Sequence, residues 1–165
     1  MLRRRVPRRA VERVAAGYVL NLGAEERELV ARMLGELRDL LLSDDPQSAP
    51  LVRRLFPPAY LGDEHAEAES DYQRFMREEL VASRLAAINA VEEMLRGSSP
   101  FDESTAMGLL QSLNNLRLVL GTMLDVGEEH DPRDVDDDDP RAGEHHLYSF
   151  LSWLVNELVD ALSGN

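Results

Sequence analysis

The stretch Leu109–Val126, LLQSLNNLRLVLGTMLDV, decides the fold that we predict for this chain. A helix has 3.6 residues per turn, so the apolar residues of this stretch cover nearly its whole circumference. These residues are Leu109, Leu110, Leu113, Leu116, Leu118, Val119, Leu120, Met123 and Leu124. A helix that is apolar on all sides is normally buried on all sides, and this one would span roughly 27 Å. The stretch therefore predicts a helical domain with this segment at its centre.

Three other segments repeat apolar residues at spacings of three and four, which is the pattern of amphipathic helices. The first is predicted from about Gly23 to Leu41, the second from Asp71 to Arg96, and the last from Glu144 to Leu162. Phe75 belongs to the predicted buried edge of the second segment. Together with the central segment, they predict a mostly α fold: a single-domain helical bundle of 165 residues around a central buried helix.

The connections between these helices contain proline, glycine and acidic residues. A short helical piece is predicted over residues 51–56, and the acidic stretch 63–70 is predicted to connect it to the second long helix, either as a loop or as a helical segment. Asp102 or Ser104 is available as the N-cap of the central helix. An acidic loop, at about residues 127–143, precedes the last helix.

The first residues of the chain differ in character from the rest. Residues 1–10 are predicted to form a basic flexible arm, and residues 11–165 the helical domain. Val11–Ala15 and Tyr18–Leu22 carry a short strand pattern. These strands pair either with each other in a hairpin or with a second copy of the chain in a homodimer.

Charge is distributed unevenly along the chain, whose net charge is −13. Residues 1–13 hold six arginines and one carboxylate, whereas the remainder holds 12 arginines against 30 carboxylates, a net charge of −18. An acidic body repels DNA and anionic membranes, so we expect no membrane contact and assign any DNA contact to the arm. The alternative for the arm is a solubilising or partner-docking tail. The predicted DNA- or partner-contacting residues are Arg3, Arg4, Arg5, Arg8, Arg9 and Arg13.

The sequence lacks residues or motifs that several classes of chemistry require. It contains no cysteine, which excludes a thiol nucleophile and a thiolate metal site. Asp134, Asp136 and Asp138 alternate as the first ligands of a calcium loop do, but Asp139 and His145 stand where that loop needs glycine and glutamate. No phosphate-binding loop or nucleophile-elbow motif is present. We expect no catalytic residue, no metal site and no cofactor, and, without a spanning segment or signal peptide, a cytoplasmic location.

Arg117 lies in the most apolar helix, close to Asn114. Because an unpaired buried charge is costly, its guanidinium group must be paired or must reach a polar edge. One interpretation is a buried ion pair with Glu157 or Asp125, and the other is an anchor for an anionic ligand or a partner's carboxylate. Trp153, the only tryptophan, is predicted to pack in the core, the alternative being an exposed recognition anchor.

Three stretches resemble one protein family: LNNLRLVLGTML at Leu113–Leu124, LYSFLSWLVNELVDAL at Leu147–Leu162, and LFPPAYL at Leu55–Leu61 followed by Phe75–Leu80. They are similar to parts of an actinobacterial domain of unknown function that is typically encoded beside the ClpS protease adaptor and a cysteine-biosynthesis metalloprotease cluster. The resemblance extends from about Tyr18 to Leu162.

The resemblance implies a mostly helical cytoplasmic protein, often described as a transcriptional regulator connected with oxidative stress. The family's arginine and tryptophan correspond to Arg117 and Trp153, with no catalytic role for either. This chain departs from the family in one respect: without cysteine, a thiol-based redox switch proposed for its relatives cannot operate here.

We therefore expect a non-enzymatic regulatory protein that acts through protein partners such as the transcription machinery, with the arginine arm aiding DNA contact. One alternative is an accessory or adaptor factor in Clp-type proteolysis, which rests on the gene neighbourhood that the resemblance implies. The other is a ligand-binding helical bundle with a site near Arg117.

Overall fold

A computed structural model of the chain describes residues 8–56, 59–124 and 138–164. The elements in chain order are strands β1 (Val11–Val14) and β2 (Gly17–Leu20) and helices α1 (Ala24–Leu42), α2 (Ala49–Val52), α3 (Ala66–Arg96), α4 (Glu103–Leu124) and α5 (Ala142–Ser163). Single turns of 3-10 helix flank α2 and precede α3, at Pro46–Ser48, Arg53–Leu55 and Asp63–His65. The mostly α, single-domain fold predicted from the sequence is confirmed.

Helix α4 lies at the centre of the bundle, as its apolar sequence predicts, because it contacts α1, α2, α3, α5 and β2. Asp102 is the N-cap: its carboxylate accepts a hydrogen bond of 2.8 Å from the backbone N–H of Thr105. The expectation of burial on all sides is only partly correct. Met107 and Met123 are 50% and 48% exposed, because the neighbouring helices leave parts of both ends of α4 uncovered.

The core is built mainly from leucine side chains of α1, α4 and α5. Leu34, Leu109, Leu113, Leu154 and Leu158 have no measurable exposed surface. Full burial of a leucine side chain contributes about 1.5–3 kcal/mol relative to leaving it in water. This core holds α4 and α5 side by side, so the outward-facing residues of both helices have defined positions.

The two strands form an antiparallel hairpin whose register runs from Val11 opposite Leu20 to Val14 opposite Gly17. The strands therefore pair within one chain, which decides between the two pairings that the sequence left open. Gly17 has a φ of +132°, and a Cβ atom at this position would lie 2.2 Å from the carbonyl oxygen of Phe101. Only glycine suits a position with this backbone conformation and so little space.

Helix α3 begins earlier than the sequence predicted and is less buried. It includes most of the acidic stretch 63–70, and its buried residues, Ile88, Val91 and Leu95, all lie in its second half. Phe75, predicted to be buried, is 74% exposed, so that prediction is wrong. The reason is length: α3 has 31 residues, whereas its partners α1 and α4 have 19 and 22, so its first half has less to pack against.

The acidic loop predicted at residues 127–143 ends sooner, because α5 begins at Ala142. Asp139 participates in the approach to this helix: its carbonyl oxygen accepts from the N–H of Ala142 at 2.9 Å, and its carboxylate accepts from the N–H of Arg141 at 2.8 Å. Residues 127–137 of the predicted loop, which include Asp134 and Asp136, lie outside the described residues, as does Val126.

Candidate interaction surfaces

The outer face of α5 presents an aromatic pair. Trp153 is 45% exposed, and its ring centroid lies 5.9 Å from that of Phe150, with an angle of 39° between the planes. The prediction that Trp153 packs in the core is therefore wrong. Helix α5 directs Leu151, Leu154 and Leu158 into the bundle, and a residue two positions after Leu151 is rotated by about 200° away from it.

Arg117 is half-buried and bonds within its own helix. Its Nη2 donates a hydrogen bond of 2.8 Å to the side-chain oxygen of Asn114. The predicted ion pair with Glu157 is wrong, because that carboxylate accepts from the backbone N–H of Ala10 at 2.9 Å, and Asp125 lies outside the described residues. Within residues 8–56, 59–124 and 138–164, no carboxylate lies within 4 Å of the Arg117 guanidinium. An external acceptor remains a way to satisfy its other N–H groups.

The described end of the arginine arm is attached to α5. Arg9 forms an ion pair with Asp160, with 3.3 Å between Nη2 and Oδ2, and its carbonyl oxygen accepts from the side-chain amide of Asn21 at 2.9 Å. Arg13 belongs to β1, and Arg8 is exposed. Two of the six predicted contact residues are thus part of the folded domain. Arg3, Arg4 and Arg5 lie outside the described residues.

An apolar groove opens between α1, α2, α4 and α5, with a volume of about 240 Å³. We call it the α1–α4 groove. Its only ionisable lining residue is the exposed Glu36. The lining is otherwise apolar and includes both buried and half-exposed side chains: Met33, Leu37, Leu40, Leu51, Leu116, Val119, Leu120, Met123, Leu147 and Leu151. Sequence reasoning missed the groove because each of these residues fits the apolar pattern of its own helix.

A second feature missed from the sequence is a pair of arginines around Phe56. The guanidinium carbons of Arg77 and Arg84 lie 5.1 and 4.8 Å from the centroid of this ring. Arg84 also donates to the carbonyl oxygen of Leu55 at 2.6 Å, but its Nε and Nη1 are buried without an acceptor in the described part of the chain. Burial lowers the pKa of Arg84. These contacts hold the segment after α2 against α3.

Two ordinary kinds of feature are not found in the described residues. None of the described helices is both long and apolar enough to span a lipid bilayer. Over the same ranges, no group of three or more histidine and carboxylate side chains is arranged to hold a metal ion. Exposed aromatic and apolar side chains are present at several places of the described surface, among them Phe75 on α3, Trp153 on α5 and Met123 at the α1–α4 groove.

Comparison with known proteins places the chain in a family. Residues 8–162 match the family described as Domain of unknown function (DUF2017), and the chain belongs to that family. Searches of curated proteins and of solved structures gave no significant match.

Proposed function

We propose that this chain is a non-enzymatic regulatory protein that works by binding protein partners, including the transcription machinery, and that its arginine arm contacts DNA. The observation that carries the proposal is the exposed position of Trp153 beside Phe150. Tryptophan is enriched among the residues that dominate binding energy at protein interfaces, because its large ring gains much from being covered.

The surroundings of the aromatic pair support a protein partner over a small molecule. Trp153 stands on the outside of a helix, where a flat partner surface can cover it, rather than in a concave site. The role in transcription and in oxidative stress comes from the family resemblance. Because the chain has no cysteine, a regulator of this kind would depend on its partner or on another signal for redox sensing.

The protein-binding role is tested by affinity capture from native lysate, with and without oxidant. The baits are the wild-type chain, Trp153→Ser and the control Val159→Ser, whose valine is 43% exposed on the same helix. The expected result is a set of captured proteins that is lost with Trp153→Ser and retained with Val159→Ser. Transcription proteins in that set would support the proposed regulator, whereas Clp components would favour the adaptor role. Identical captures by all three baits would contradict the use of Trp153.

The DNA-contacting role is tested separately, by titrating labelled duplex DNA with the wild-type chain and with a variant in which Arg3, Arg4 and Arg5 are changed to glutamine. The log of affinity falls with the log of salt concentration at about −0.9 per phosphate contact, so the variant should show a slope shallower by about 3. A matched control changes three exposed arginines of the domain, Arg32, Arg53 and Arg54. Equal binding by the two variants would remove the role assigned to the arm.

A further inference from the structure

We infer that the α1–α4 groove binds an amphipathic helix of a protein partner, with apolar side chains inserted in the groove and basic side chains beside Glu36. This inference rests on the proposed function only in that the occupant is a protein. The groove is a separate surface: its α5 residues, Leu147 and Leu151, project from a different side of the helix than Trp153, as the rotation of about 200° between positions 151 and 153 requires.

The volume of the groove favours inserted side chains over a whole ligand. It encloses about 240 Å³, whereas pockets for drug-sized molecules and cofactors typically enclose about 300–1,000 Å³ and contain several placed polar groups. Here a single ionisable side chain, Glu36, lies among ten apolar ones. An opening of this size and polarity suits a few large apolar side chains of a partner.

The walls of the groove favour a helical occupant. They consist of α1, α2, α4 and α5, and the only strands in the described part of the chain belong to the hairpin β1–β2. An extended peptide lying in this groove would find no strand edge to satisfy its backbone N–H and C=O groups. A helix satisfies these groups internally and inserts side chains at positions i, i+3, i+4 and i+7.

The charge around the groove favours a basic occupant. Glu36 is exposed and has no cationic side chain within 4 Å in the described residues. Arg38, two positions further along α1, is already bound to Glu92 by hydrogen bonds of 2.9 and 2.6 Å. Arg141 donates to the carbonyl oxygen of Met123, a lining residue at the α4 side of the groove. A basic residue of the partner is therefore expected at the α1 side of the groove.

The net charge of the chain favours a different, basic protein over a second copy of this chain as the occupant of the groove. Each copy carries a net charge of −13, and residues 14–165 carry 12 arginines against 30 carboxylates. Two such bodies repel one another, whereas a basic helix is attracted and its association is accelerated at low salt.

The experiment selects binders from a displayed library of amphipathic helical peptides with randomised surface charge. The selection target is the full-length wild-type chain. Met123→Gln serves as the counter-selection target, and Met107→Gln is the matched control because its methionine lies on the same helix, is equally exposed and does not line the groove. Enriched peptides are then synthesised and titrated by fluorescence anisotropy. The charge contact is tested with Glu36→Gln, against Glu28→Gln on the same helix as its control.

We expect enriched peptides with a net positive charge and one apolar stripe. Their affinity should fall about tenfold or more with Met123→Gln, about three- to tenfold with Glu36→Gln, and steadily with salt, while both controls bind like the wild type.

No enrichment, enrichment of neutral or acidic peptides, or equal binding to Met123→Gln would each overturn the inference. A dimer that is detected by sedimentation and dissociates with Met123→Gln would also overturn the inference. The same holds for peptide binding that appears only when Arg3, Arg4 and Arg5 are changed to glutamine. Those last two results would assign the groove to a second copy or to the chain's own arm. None of these outcomes bears on the Trp153 surface, so the two proposals fail independently.

Discussion

Tyr18 and Phe101 exchange both of their backbone hydrogen bonds, each 2.9 Å long, although they are more than eighty positions apart in the chain. Their rings also pack, with centroids 6.1 Å apart. This pairing attaches the hairpin to the connection between α3 and α4. Ala10, which precedes the hairpin, donates its backbone N–H to Glu157 of α5. Together, the two contacts determine where the arginine arm leaves the domain.

Gly17 makes this close approach feasible, and its replacement is the first prediction. Gly17→Ala should destabilise the fold by about 2–4 kcal/mol, because the added Cβ collides with the carbonyl oxygen of Phe101 and φ is +132°. Gly35→Ala is the control: a Cβ there meets nothing within 4 Å, and alanine in a helix interior should stabilise by about 0.5–1 kcal/mol. Urea unfolding measures both. Equal stability of the two variants would contradict the tight contact at Gly17.

Arg27 connects three parts of the fold and supports the second prediction. Its guanidinium donates to the carbonyl oxygens of Leu20, Leu22, Leu95 and Gly97 at 2.7–3.3 Å. These bonds join β2 and the start of α1 to the end of α3. Arg27→Met should therefore lower the free energy of unfolding by about 2–3 kcal/mol, since several partly buried carbonyls lose a charged donor.

The control for Arg27→Met is Arg32→Met, which removes an exposed arginine from the same helix. That variant should change the free energy of unfolding by less than about 0.5 kcal/mol. Chemical denaturation of both variants, monitored by circular dichroism, gives the comparison. A loss for Arg27→Met no larger than that for Arg32→Met would show that the four carbonyls do not depend on this guanidinium.

The exposure of Trp153 supports a third prediction, which needs no partner. Because this is the only tryptophan in the chain, its fluorescence reports one position. With 45% of the residue exposed, native-state emission should be quenched by acrylamide to an extent closer to that of the urea-unfolded chain than to that of a buried tryptophan. Acrylamide is preferred over iodide, because the net charge of −13 repels an anionic quencher. Strong protection in the native monomer would place Trp153 in the core.

Asp102 provides a fourth prediction, on pH. The backbone N–H of Thr105, the largest cause, and the Thr105 side chain hold the pKa of Asp102 below its ordinary value of 3.8. A carboxylate with a lowered folded-state pKa contributes stability that is present above the unfolded-state pKa and is lost as pH falls through the folded-state pKa. The contribution of this cap should therefore be complete at neutral pH and should decline below about pH 3.8.

The variants Asp102→Asn and Asp102→Ala separate the cap from its charge. Asparagine retains a capping oxygen and alanine does not, so at neutral pH the thermal midpoint should follow the order wild type, asparagine, alanine. Below about pH 3.8, the midpoint of the wild type should fall toward that of Asp102→Asn. Glu103→Gln, which alters the adjacent exposed acid, controls for general charge effects. A difference between wild type and Asp102→Asn that stays constant into strong acid would contradict the shifted pKa.

Much of the fold could be predicted from local sequence because the responsible forces are local or periodic. The apolar circumference of Leu109–Val126 predicts a central helix, and α4 does occupy the centre. The strand pattern before Gly23 predicts the hairpin as one of two pairings. Asp102 was one of two candidate N-caps, since its carboxylate needs only the N–H groups of the next turn.

The interaction surfaces could not be predicted in this way, because they depend on how far each helix extends past its neighbours. Phe75 and Trp153 carry the same apolar signal as core residues, yet both are exposed. Of the two carboxylates that the sequence offered to Arg117, Glu157 bonds to the backbone of Ala10, more than a hundred positions away, which no local pattern indicates. No pattern within α1 alone indicates that Glu36 borders an apolar groove.

By itself, the sequence determined a helical bundle around one apolar helix, an acidic body with a basic arm, and the absence of cysteine chemistry. Helix periodicity, total charge and residue type are properties of the chain that hold in any arrangement of the helices. The tertiary structure alone decided which apolar residues face water and which four elements enclose the α1–α4 groove. It did so because burial is a property of neighbouring surfaces, and the neighbours of a side chain are set by contacts between residues far apart in the sequence.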